Sequence, residues 1–233
     1  MFELSTIDWA AVAKIVGIDI MLGGDNAVVI ALACSALPLA LRNKGMFFGT
    51  AGAVLMRGLL LAIAGLVMGI PFVKLVAGAW LFWIGYSLLV GNDDDPNINP
   101  SESLFGAIKT IIIADVMMSV DNVMAVASAA QSAGEHSTIY AVAGIMFSIP
   151  VIVLGAQIIM KLMDRFPIIT WGGAGLLGWV GAEMIISDSK MHDLIFSDPS
   201  THLIFKILGF GAVVLAALAQ KKFSKQQSKI QEA

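Results

Sequence analysis

A chain of 233 residues that is 58% hydrophobic and 13% charged, with a mean hydropathy of +0.86, is too apolar for a soluble globular domain, where about 25% of residues are charged. Repeated apolar runs near 20 residues, without alternating segments of about 10, exclude a β-barrel and leave an all-α polytopic membrane protein. The net charge of −3, with no basic patch, argues against a nucleic-acid partner.

About seven transmembrane helices are predicted, at roughly 10–36, 45–69, 71–91, 103–130, 138–163, 167–187 and 202–220. The chain opens on Met-Phe-Glu-Leu-Ser-Thr-Ile-Asp, which lacks the positive region of a signal peptide. The first apolar run is therefore expected to stay as a helix. Its Cys34 is the single cysteine, so an intrachain disulfide and a cysteine-based metal site are excluded, and the residue reads as a small buried hydrophobe. The polar, turn-rich stretch 92–102 is the clearest internal boundary. It divides a first three-helix unit, 1–91, from a second, 103–190. An outer loop and seventh helix (191–222) and a basic tail (223–233) complete the chain.

The first span carries Asp19-Ile-Met-Leu-Gly-Gly-Asp25-Asn26, and the fourth carries Asp115-Val-Met-Met-Ser-Val-Asp121-Asn122, 96 residues later. The same offset aligns Pro71 with Pro167, Trp83 with Trp179 and Gly85 with Gly181. A constant offset over separated regions indicates duplication of a three-span unit. Three spans are an odd number, so the second copy enters the membrane from the opposite side. The expected fold is a 3+3 inverted-topology repeat plus one C-terminal helix, a plan that places transport sites near the midplane.

Carboxylates in lipid are expensive, at about 2.5–3.5 kcal/mol for an Asp at a helix centre. A cation, a proton or a basic partner relieves that cost. Asp19, Asp25, Asn26, Asp115, Asp121 and Asn122 together offer an all-oxygen ligand set, which suits Mg²⁺, Ca²⁺ or Mn²⁺. A proton relay, or protonated Asp residues bonding between helices, are the other readings of the same residues. Residues seven apart share a helix face, so Asp19 and Asn26 should point together, with Asp25 about 120° away on a regular helix. Gly23-Gly24 weakens the helix there. A local break is expected in span one, able to swing Asp25 inward, and less readily in span four, which has Ser119-Val120. Met21, Met117, Met118 and Met124 lie among these carboxylates; they read as packing, with a softer ion such as Mn²⁺ favoured if a thioether ligates. Arg57 and Lys109 are candidate counter-charges, and Glu183 a candidate proton carrier or extra ligand. His136, His192 and His202 fall in or near predicted outer loops.

Arg42 and Lys44, Lys161 and Arg165, and Lys221 to Lys229 all fall on one side of a seven-span chain. The positive-inside rule makes that side cytoplasmic, with the acidic linker and the C-terminus inside and the N-terminus outside.

The paired Asp-x5-Asp-Asn motifs on spans one and four of a duplicated seven-span chain resemble the TerC family of the LysE transporter superfamily, over about residues 5–222. The resemblance implies a bacterial inner-membrane exporter of Mn²⁺, with the motif carboxylates on Asp19, Asp25, Asp115 and Asp121. It implies neither an enzyme nor a bound cofactor. The expected partners are the lipid bilayer, divalent cations and protons; a homo-oligomer is left open. A Ca²⁺/H⁺ or broader cation exchanger is the rival transport reading. The non-transport rival is a membrane factor for metallation or insertion of exported proteins, or for tellurite resistance.

Overall fold

The computed structural model describes residues 9–67, 70–91, 100–131, 137–194 and 198–231, with the side chains of 121–143 undescribed. The described residues are helical, without strands: α1 (Trp9–Leu22), α2 (Gly24–Ser35), α3 (Leu39–Val67), α4 (Val73–Val90), α5 (Pro100–Gln131), α6 (Ser137–Arg165), α7 (Ile168–Ser187), α8 (Ser189–Leu194) and α9 (Pro199–Gln231). Six of them, α3 to α7 and α9, are long and apolar enough to cross a membrane. Leu55, Phe47, Ile207 and Leu215 are among many large apolar side chains left exposed, a surface that suits lipid and not water.

The first predicted span is two helices. α1 ends at Leu22 and α2 begins at Gly24, with Gly23 outside both. No side chain caps α2. In α5 the equivalent Ser119-Val120 lies within one continuous helix. The long helices also outrun the apolar windows. α9 continues to Gln231 rather than ending near 220, because Lys- and Gln-rich sequence is a good helix former even in water. The short α8 occupies part of the predicted outer loop.

Packing exchanges the two units. α3 packs on α5, while α6 packs on α1 and α2, and α4 packs on α7. Glycine brings α4 and α7 into backbone contact. A Cβ at Gly181 would lie 2.7 Å from the Gly78 carbonyl, and one at Gly85 would lie 2.8 Å from the Ala174 carbonyl. At the 96-residue offset Gly78 matches Ala174 and Gly85 matches Gly181, so the two contacts are one contact seen twice. Residue 78 meets 181 and residue 85 meets 174, so α4 and α7 run antiparallel. Such small-residue seams are how membrane helices approach closely. α7 repeats the device toward α9, where Gly178 and Gly209 abut.

The ends of the bundle are tied. Arg42 pairs with Asp164 at 2.6 Å and also donates to the Ser35 and Leu37 carbonyls. The Lys221 ammonium sits 5.5 Å from the Trp171 ring centroid. These basic segments therefore share one end. Glu183 and Lys206, 2.7 Å apart, mark the other. Pro150 lies inside α6, where it removes one rung of the helical ladder.

Candidate functional site

The centre of the bundle holds a knot of buried charge. Asp19 comes from α1, Asp115 from α5 and Arg57 from α3; they are 0%, 7% and 4% exposed. The Arg57 Nη1 donates to Asp19 Oδ1 at 3.0 Å, and its Nη2 donates to Asp115 Oδ1. Its Nε donates to Ser119 Oγ at 3.1 Å, and that hydroxyl donates to Asp115 Oδ2 at 3.2 Å. Ser148 of α6 donates to Asp19 Oδ2. One carboxylate from each repeat thus meets at a single guanidinium, and each carboxylate also takes a hydroxyl. Burying this charge is tolerable because the two carboxylates share the guanidinium and all four of their oxygens accept a hydrogen bond.

Helix geometry explains the meeting. Asp115 and Ser119 are four apart, on one face of α5. α5 lies against α3 because Gly49 and Gly52 of α3 leave room for Ile111 and Ile112. That close approach sets Arg57, two turns further along α3, level with Asp115.

Asn26 lies on the same side as this knot. Asn26 is 4% exposed, and among the described residues neither its Oδ1 nor its Nδ2 has a partner; Thr50 Oγ1 is also unpartnered there. Both residues line a cavity of about 20 Å³ together with Arg57, Asp115 and Ser148. Leaving a buried polar group unsatisfied costs about 1–3 kcal/mol, so the cavity is a place where something polar is wanted.

Asp25 goes elsewhere. Span one breaks as expected, but the break does not bring Asp25 to the central pair. Its carboxylate is half-buried, accepts from the Asn26 backbone N–H at 2.9 Å, and faces a cavity of about 530 Å³. The reason is angular: the interruption is one residue long, so Asp25 keeps roughly the separation from Asp19 and Asn26 that a regular helix gives. Met21, Met118, Lys74 and Glu183 border this second cavity. Glu183 is exposed and bound to Lys206, and Lys109 is exposed on α5, away from the knot. The side chains of Asp121, Asn122 and Met124 lie outside the described residues. Among the described residues, no three His, Cys, Asp or Glu side chains converge as a metal-holding group. Cys34 is buried and free.

Ser119, Ser148 and Thr50 are the site residues that motif reading passes over. Ser119 had a signal, its i+4 spacing from Asp115; Ser148 and Thr50 had only their polarity inside apolar spans.

Fold and site together define a multi-pass membrane protein with an ionisable centre between two duplicated halves. The chain belongs to the TerC family of integral membrane proteins, whose family model matches residues 4–229. It is similar to the uncharacterized membrane protein YjbE of Bacillus subtilis (strain 168), at 40% identity covering 91% of this chain and 95% of the relative. It is also similar to YkoY of the same organism, at 26% identity over 88% and 68% of the two chains. The inner membrane protein YgdQ of Escherichia coli (strain K12) is 25% identical over 79% and 83%. No solved structure matches.

Proposed function

We propose that this chain is a divalent cation transporter of the bacterial inner membrane, exporting Mn²⁺ from the cytoplasm in exchange for protons. The observation that carries the transport reading is the meeting of Asp19 and Asp115. Two carboxylates from opposite repeats hold one positive charge deep in a lipid-facing bundle. Intramembrane ionisable residues at a repeat interface are the usual mark of an ion path. The choice of Mn²⁺ and the outward direction rest on the family resemblance.

Asp19 and Asp115 are the proposed core ligands, with Asn26 beside them and Asp25 as a further carboxylate on the side of the Glu183 cavity. Asp121 and Asn122 are assigned by the repeat. The end bearing Arg42, Arg165 and Lys221 is proposed to be cytoplasmic, which makes the Asp25 cavity the outward one. Exporting two positive charges against an inside-negative potential of 100 mV costs about 4.6 kcal/mol. Carboxylates that bind either metal or protons couple that cost to inward proton flow.

The test is Mn²⁺ flux in proteoliposomes under an imposed pH gradient, with Asp115→Asn as comparison. Flux driven by the gradient and lost in the variant is expected. Flux indifferent to the gradient removes the antiport. Equal flux in both proteins, or none in the wild type, removes the transport reading and favours the membrane-factor rival. Competition with Ca²⁺ and Mg²⁺ separates a Mn²⁺ exporter from a broader exchanger.

A further inference from the structure

Arg57 has no counterpart in the second repeat, where Val153 stands at its position. A guanidinium stays charged at any pH the protein meets, so it cannot leave the carboxylates by losing a proton. A transported cation arriving at Asp19 and Asp115 would face that fixed charge at contact distance, where like charges in a low dielectric repel strongly. Either the cation never binds there, or Arg57 moves.

The structure holds a place for it to go. The guanidinium borders the cavity of about 20 Å³ whose wall carries Asn26 Oδ1 and Thr50 Oγ1. Both atoms can accept hydrogen bonds, both are buried, and neither has a partner among the described residues. The volume admits one water, which needs about 10–15 Å³. A single water there would serve both acceptors until a five-donor cation replaced it.

We propose that Arg57 is a tethered competitor for the transported ion, with two seats. With no ion bound, it bridges Asp19 and Asp115 and links the two repeats. When the ion takes those carboxylates, the guanidinium withdraws toward Asn26 Oδ1 and Thr50 Oγ1. The empty carrier then never presents a bare pair of buried carboxylates to lipid. This rests on the transport reading above and assigns Arg57 and Thr50 roles within it.

The experiment is Mn²⁺ titration of the purified full-length protein in detergent micelles, followed calorimetrically, as a double-mutant cycle. Removing a competitor raises apparent affinity by the reciprocal of the fraction of sites it had left free; with about a tenth or less left free, Arg57→Gln should bind Mn²⁺ about tenfold or more tightly than the wild type. Thr50→Val keeps the side-chain shape and removes the second seat. It should weaken binding several-fold when Arg57 is present and have no effect in the Arg57→Gln background. Arg57→Gln binding no more tightly, or Thr50→Val acting equally in both backgrounds, overturns the proposal while leaving Mn²⁺ binding intact. No binding of Mn²⁺, Ca²⁺ or Mg²⁺ by any of the four proteins overturns both this and the transport reading. If Arg57→Gln fails to fold, Thr50→Val decides alone, and unchanged affinity overturns the proposal.

Discussion

The first and fourth spans began as copies and now do different work. Both place an aspartate at the central knot. α5 carries Asp115 through the membrane in one unbroken helix, whereas the chain carrying Asp19 is interrupted at Gly23. The hydroxyls that hold the knot, Ser119 and Ser148, both belong to the second repeat; glycines 23 and 52 occupy the equivalent positions in the first. The first repeat supplies the arginine instead. The second repeat supplies the bracing hydroxyls, and the first supplies the arginine and the interrupted helix.

That comparison breaks most visibly at Arg57. Arg57→Met leaves two buried carboxylates unpaired and should lower stability by about 3–5 kcal/mol in detergent unfolding. Adding Asp19→Asn or Asp115→Asn should recover part of it; recovery from only one of them would show which repeat depends on the bridge. The α4–α7 seam tests what the repeats still share. Gly78→Ala forces a methyl into the Gly181 backbone and should cost about 1–3 kcal/mol. Gly172→Ala, with nothing within 4 Å of the new Cβ, should change little. The smallest effect concerns the interruption itself. Gly24→Ala also meets nothing within 4 Å, and should stabilise by up to about 1 kcal/mol while increasing hydrogen-exchange protection at the Asp25 and Asn26 amides. A loss of stability there would count against the interruption as a weak point of the first span.

Much of this was legible in the sequence because membrane burial writes plainly. Long apolar runs gave the helices, and the constant offset gave the repeat; the antiparallel α4–α7 contact came only with the structure. The Asp19–Asn26 spacing placed those two residues on one side, and Gly23-Gly24 marked the interruption. The departures have physical causes. The direction of Asp25 depends on how many residues the break spans, which composition does not encode. Arg57 reads as a charge to be relieved, but which carboxylates it reaches depends on how closely α3 and α5 approach, and that is set by Gly49 and Gly52 against Ile111 and Ile112. Ser148 and Thr50 gain their importance only from tertiary neighbours.

Pro150 acquires a meaning from its position. Ser148 and Ile152 flank it, and these are the α6 residues that reach Asp19 and the space above Gly23. Pro150 itself is exposed and turned away from them. The lost rung of α6 therefore falls level with the interruption between α1 and α2. The two helices that meet at Asp19 both carry a weakened ladder at that height, whereas the α4–α7 pair is sealed by glycine contacts.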